Sequence, residues 1–427
     1  MKIKKVFLIV LVLFLAGVAS IHNNLFNVKD KFYENYPNFV TEFRRHLFKK
    51  EPVVQKLKND YNVKFLPETE FLKLNLIKKK IKFNDNYNAT HQKKEYKFPL
   101  GHLGHFNTFY IENYKNFLIL TDYLGGFYKI ENNDLNNYED KSIETKEIKS
   151  NLSKIRVLDN FIDNENIYVS YIGENNNCKN LNIAVAKINL NYLEFNDFFK
   201  SEVCSEWLQA GRMISYSYNN KKGILFTTSA LTRDAPDTAP QDDGSIFGKI
   251  LFIDFETKNH ITFSKGHRNI QGIFVDKKLI LATEHGPRGG DEINKIIYKK
   301  NYGWPIASYG EKYYEKNTKK SLYSKSHSAL GYEEPLFSFV PSIGISEIIK
   351  IPNTFSEIFK NNFVISSLYG RHIYRVKFDD DFSRVLFNEK IYVGHRIRDL
   401  KYIDDLDLIV LAFEEDGELG IISNLNK

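Results

Sequence analysis

The chain has 427 residues, of which 42% are hydrophobic and 15% aromatic (34 Phe and 26 Tyr), and its formal net charge is +7. So much strand-forming aromatic side chain sets most of it apart from a disordered polymer. The positive surplus is spread along the sequence, with a mild concentration between Lys49 and Lys97; it fits solubility or loose attraction to anionic surfaces rather than nucleic-acid recognition, for which no motif is present.

In chain order, Met1-Lys2-Ile3-Lys4-Lys5 is basic and leads into an apolar run from Val6 to Val18, with Gly17-Val18-Ala19 offering small residues for cleavage. Residues 1–20 read as an export signal. The run is short of the roughly 20 residues that a spanning helix needs, so a cleaved leader and an uncleaved anchor both fit, and either places the rest of the protein outside the cytoplasm. Residues 21–95 carry clustered Lys and Glu and helical-looking stretches such as Phe39 to Lys58, and are expected to form a helical extension. From residue 96 to 427 the pattern changes to short β-branched and aromatic runs bounded by Gly, Asn and Asp, as in antiparallel sheets.

Within that region a weak repeat can be read six times: Gly126 to Ile130, Ala184 to Ile188, Gly248 to Ile253, Glu292 to Ile296, His372 to Val376 and Gly417 to Ile422. In each a turn feeds a short alternating strand. Alone this supports a propeller only modestly, because sandwiches contain similar strands. Cys178 and Cys204 would pair in an oxidising compartment, or remain as two buried thiols.

The densest signal runs from Thr283 to Gly310, TEHGPRGGDEINKIIYKKNYGWPIASYG. Its first part, Glu284 to Glu292, packs three glycines and a proline into nine residues, which suits a backbone that approaches a ligand closely and offers its carbonyls. Its second part, Asn301-Tyr302-Gly303-Trp304-Pro305, sets an aromatic pair at a constrained turn. With Gly266-His267-Arg268-Asn269-Ile270-Gln271-Gly272 upstream, and Val340-Pro341-Ser342-Ile343, Ser366-Ser367-Leu368 and Arg396-Ile397-Arg398-Asp399 downstream, the sequence resembles the glucose/sorbosone dehydrogenase family. The nearest branch is that of the soluble aldose sugar dehydrogenases that use pyrroloquinoline quinone (PQQ).

That resemblance implies an all-β, six-bladed propeller with a pocket at one end of its channel. It also implies hydride transfer from a sugar's C1 to a calcium-polarised quinone, a small-molecule sugar as substrate and an external electron acceptor. Arg268 and Asn269 match residues at the quinone oxygens, and Tyr313 a cofactor-contacting aromatic. Arg396 and Arg398, alternating on a strand, suit a ligand with three carboxylates. The carbonyls of Gly286 and Pro287 match ligands of the active-site calcium, and Glu292 and the Tyr302 carbonyl those of a second, structural calcium.

Three departures cut against this. The family's general base is a histidine in H-Q-x-G-R, where this chain reads Leu208-Gln209-Ala210-Gly211-Arg212; leucine cannot take a proton. The cofactor lysine aligns with Tyr369, with Arg371 two residues on. The glutamine before the first-blade glycine segment has no counterpart near Gly101-His102-Leu103-Gly104. His285 is the best substitute base, its ordinary pKa suiting proton transfer near neutrality, ahead of His102 and His267. Asp242 and Asp243 read as loop caps. The competing readings are a degenerate propeller that binds sugars, an anionic ligand or another protein, and, more weakly, a calcium-centred hydrolase of lactones or esters.

Overall fold

Each of the six repeat copies forms the third strand of a separate antiparallel sheet, counted outward from a common axis. The computed structural model describes residues 76–82, 108–136, 142–152, 156–175, 178–205, 207–232, 237–313, 323–414 and 417–423. All lie in one of the chain's two compact units, the one formed by Leu72–Lys94 and His105–Lys427. The export signal, His102 and the stretch Phe39 to Lys58 fall outside the described residues.

Among the described residues the strands make six sheets. Blade I holds Phe109–Tyr114, Phe117–Asp122, Phe127–Glu131 and Lys146–Ser150, and blade II Arg156–Asp163, Asn166–Asn175, Cys178–Lys187 and Asn196–Lys200. Blade III holds Ala210–Tyr218, Lys221–Thr228, Lys249–Asp254 and His260–Lys265, and blade IV Ile270–Asp276, Leu279–Glu284, Asp291–Lys295 and Phe337–Phe339. Blade V is Ile345–Lys350, Phe363–Ser367, His372–Phe378 and Val385–Tyr392. Blade VI is Ile397–Ile403, Leu408–Phe413 and Glu418–Ser423, completed by Leu76–Lys82, which pairs antiparallel with Glu418–Ser423. The first strands of successive blades touch in a closed ring, with blade VI against blade I. This is a six-bladed β-propeller, as the sequence implied.

The middle strands read as apolar runs rather than alternations because a neighbouring blade covers each of their faces. Leu408–Phe413 (LIVLAF) is buried at every position. The core accordingly lies between blades: Leu408, Val410 and Ala412 of blade VI pack with Phe109, Ile111 and Leu118 of blade I.

One boundary needs correction. Leu76–Lys82 (LIKKKIK), assigned above to a helical extension ending at residue 95, is a strand of the last blade. Its consecutive lysines hide the alternation, yet Lys79 is fully buried, with Nζ donating to the Asp134 carbonyl at 2.7 Å. Cys204 is disulfide-bonded; the sequence holds one other cysteine, Cys178.

The axis is filled by ions. Arg212, on the first strand of blade III, donates from Nη1 to Asp159 of blade II (2.9 Å) and lies 3.1 Å from Glu347 of blade V and 3.4 Å from Asp399 of blade VI. Its Nε donates to the Gln271 carbonyl at 2.7 Å and its Nη2 to the Arg398 carbonyl at 3.0 Å. One guanidinium thereby joins four blades to its own. Burial raises Asp159 to about 8 despite the neighbouring Arg212, since removing a carboxylate from water disfavours its charge.

Candidate functional site

The register places the site. Ile270 pairs with Glu284, Ile345 with Ser367 and Ile397 with Phe413, so the segments entering the first strands share one rim with the loops that follow the second strands. That rim carries Gly266 to Asn269, His285 to Gly290, Tyr369 to Arg371, Arg396 and Glu414. The two halves of the glycine-rich signature clasp each other there, Arg288 and Glu311 exchanging backbone hydrogen bonds of 2.9 Å. Gly290 requires its lack of a side chain: its φ is +71°, and a Cβ would meet the Gly310 nitrogen at 2.4 Å.

Four of the five residues expected to hold a cofactor, Arg268, Asn269, Arg396 and Arg398, are linked by one hydrogen-bonded network. Arg396 Nη2 donates to Glu414 Oε1 at 3.0 Å, and Arg398 binds the other oxygen of the same carboxylate. Arg398 Nη1 also donates to Gln271 Oε1 (3.0 Å), Gln271 Nε2 to Asn269 Oδ1 (2.8 Å) and Asn269 Nδ2 to Gln209 Oε1 (3.3 Å). Arg268, its guanidinium 5.4 Å from the centre of the Trp304 ring, donates from Nη1 to the His285 carbonyl at 3.0 Å, while His285 N–H donates to the Asn269 carbonyl at 2.9 Å. Arg396 and Arg398 thus converge, and two guanidiniums meet a single buried carboxylate. Gln271 lies inside a quoted motif; Glu414 follows an apolar strand with no local pattern to reveal it.

His285 stands between these arms. One ring nitrogen, Nε2, is buried and has no hydrogen-bond partner among the described residues, while the ring also bonds to the backbone of Ile345. Desolvation pushes its pKa below the ordinary histidine value; Asp291 opposes this, and Arg398 and Arg268 add to it. A neutral imidazole carries a lone pair on one ring nitrogen, the form a general base requires.

The other expected positions differ from one another. Gly286 N–H donates to Asp291 Oδ1 at 3.0 Å, and Tyr313 Oη donates to the Pro287 carbonyl at 3.3 Å, so Tyr313 sits at the turn whose carbonyls were expected to meet calcium. Among the described residues no group of three or more His, Cys, Asp or Glu could hold a metal. An ion at this turn would therefore rest on carbonyl oxygens, which a glycine-proline turn can supply.

At Glu292 and Tyr302 the Tyr302 carbonyl is already engaged: a ring nitrogen of His327, Nδ1, lies 3.0 Å from it. Leu208 is buried among Leu158, Met213, Phe226 and Phe247 in the core of blades II and III. Tyr369 is 79% exposed on the rim. His267 is fully buried between Ser264 Oγ (2.8 Å) and Glu284 Oε2 (3.0 Å). Asp242 caps its turn, accepting from Gly244 N–H at 2.9 Å, and Asp243 pairs with Lys265 at 2.7 Å.

A closed six-bladed ring with arginines, a histidine and a glycine-rich turn on one rim defines a propeller of the sugar-dehydrogenase type. The chain belongs to the glucose/sorbosone dehydrogenase family, whose signature matches residues 131–421. The aldose sugar dehydrogenase YliI of Escherichia coli is 31% identical over 189 residues, which is 43% of this chain and 50% of that protein. An uncharacterized protein of Synechocystis sp. is 30% identical over 180 residues, 42% of each chain. These alignments span half or less of the relatives' lengths. Among solved structures, a glucose dehydrogenase superposes with a TM-score of 0.63 at 18% identity, over 74% of this chain and 95% of that one. The PQQ-bound aldose sugar dehydrogenase of Streptomyces coelicolor gives a TM-score of 0.53 at 17% identity, over 74% and 92%. At such identities the superpositions speak for the fold alone.

Proposed function

We propose that this protein is an exported aldose dehydrogenase that binds PQQ and calcium on the rim and uses His285 as its base. The observation that carries the proposal is the buried Nε2 of His285, which has no hydrogen-bond partner among the described residues and is adjacent to Arg268 and Arg398. Arg396 and Arg398 would bind cofactor carboxylates, Arg268 and Asn269 would face the quinone oxygens, and Tyr313 would border the ring. The Gly286 and Pro287 carbonyls would hold calcium. The bound quinone would supply the hydride acceptor. His285 would take the proton of the sugar's C1 hydroxyl at Nε2, and an external acceptor would then receive the electrons. The basic start and apolar run from Met1 to Val18 support export, by cleavage or as an anchor.

The test is to add a panel of aldoses to protein supplied with PQQ and calcium and to follow the quinone's absorbance. Sugar-dependent bleaching is expected. Binding without bleaching favours the second reading, a propeller kept as a binding module, which the burial of Leu208 supports.

Leu208 also makes a discriminating variant. Because the side chain lies in an apolar cluster, Leu208→His should leave sugar oxidation within about threefold of wild type and cost about 1–3 kcal/mol of stability by burying an imidazole. A tenfold or larger gain in rate at unchanged stability would show that position 208 faces the pocket.

A further inference from the structure

We propose that His327 occupies, in this chain, the place between Glu292 and the Tyr302 carbonyl where a structural cation would otherwise sit, so that this corner of blade IV is held together without a metal. His327 is 2% exposed and stands in the long connection between the third and fourth strands of the blade. Its two ring nitrogens face the two oxygen groups in question: Nδ1 hydrogen-bonds the Tyr302 carbonyl at 3.0 Å, and Nε2, which has no hydrogen-bond partner among the described residues, is 3.7 Å from Glu292 Oε1. An ion bound by both oxygens would need the space the ring fills.

The ring is fixed from several sides. It stacks on Tyr309, with centroids 5.5 Å apart and planes 13° from parallel, and its own carbonyl accepts from Leu330 N–H and Tyr332 N–H, both at 3.0 Å. Glu292 is fixed too, Oε2 accepting from Asn294 Nδ2 at 3.2 Å. Two neighbouring lysines act in the same way. Lys249 Nζ gathers the carbonyls of Ala239 (2.7 Å), Pro240 (2.9 Å) and Phe247 (3.1 Å), and Lys325 Nζ those of Ser308 (3.2 Å) and Gly310. Converging carbonyls are thus met by the chain's own ammonium groups in two places, where bound cations serve in many proteins, and His327 meets a carbonyl beside a carboxylate in a third.

The experiment compares calcium and zinc binding, by isothermal titration, with thermal unfolding of metal-free wild type, Glu292→Gln, His327→Gly and the double variant. Wild type and Glu292→Gln should bind the same number of calcium equivalents, because the turn at Gly286 and Pro287 is untouched. His327→Gly should melt lower, gain one calcium equivalent with a calcium-dependent rise in melting temperature, and lose both when Glu292→Gln is added. The proposal is overturned if Glu292→Gln removes a calcium equivalent from wild type, or if zinc binds wild type through Glu292, which would make His327 a ligand. It is also overturned if folded His327→Gly gains no calcium. Should His327→Gly not fold, the comparison of wild type with Glu292→Gln still decides.

Discussion

Substituting His285 by glutamine is expected to lower the rate of sugar oxidation by roughly 10²–10⁴-fold, the range over which a positioned base contributes, while PQQ binding and melting temperature change little. Glutamine retains a polar group at a site where one ring nitrogen bonds the backbone of Ile345, so the loss would fall on proton transfer rather than on the loop. The pH profile carries a second signature. Burial holds the imidazole below its ordinary pKa; the ring therefore stays neutral at pH 7, and kcat/KM should fall on the acid side with an apparent pKa below about 6.5. A loss under about threefold, or an acid limb unchanged in the variant, would remove His285 from the reaction.

The largest structural effect is expected on the axis. Arg212→Met should destabilise the propeller by about 3–5 kcal/mol, the cost of taking one partner from a buried ion pair. The reason is specific: Asp159, Glu347 and Asp399 all lie within 3.4 Å of Nη1, and with the cation gone three buried carboxylates face one another. Asp159 and Glu347 are already pushed upward by burial. Double substitution with Asp159→Asn should return part of the loss, because one of the unpaired acids is then neutral. Urea unfolding of wild type and the two variants measures both quantities; a cost near 1 kcal/mol for Arg212→Met would mean that water, not the guanidinium, compensates the acids.

How far the sequence could be read follows from which residues act through neighbours in the chain. Glycine turns feeding alternating strands are local, so all six third strands were visible before any tertiary contact was known. The glycine-rich signature was visible for the same reason, because positive φ at Gly290 and its contact with Gly310 constrain residue type directly. Leu76–Lys82 was not, since three lysines in a row mask a strand unless the carbonyl that receives Lys79 is known. Arg212 and Asp399 were visible as members of motifs, but their meeting at the axis depends on ring closure. Glu414 and His327 carried no local pattern at all: each matters because of partners supplied by other strands and loops. The orientation of Leu208 was likewise hidden, since a motif position fixes where a residue lies along the chain and not which way its side chain turns.

The most direct test of the central claim is equilibrium titration of the metal-free protein with PQQ in the presence of calcium, for wild type and for the Arg396→Ala, Arg398→Ala double variant. Saturable one-to-one binding by wild type, weakened at least tenfold in the double variant, is the expected result. Absence of wild-type binding, or equal binding by both proteins, would contradict a retained cofactor pocket on this rim.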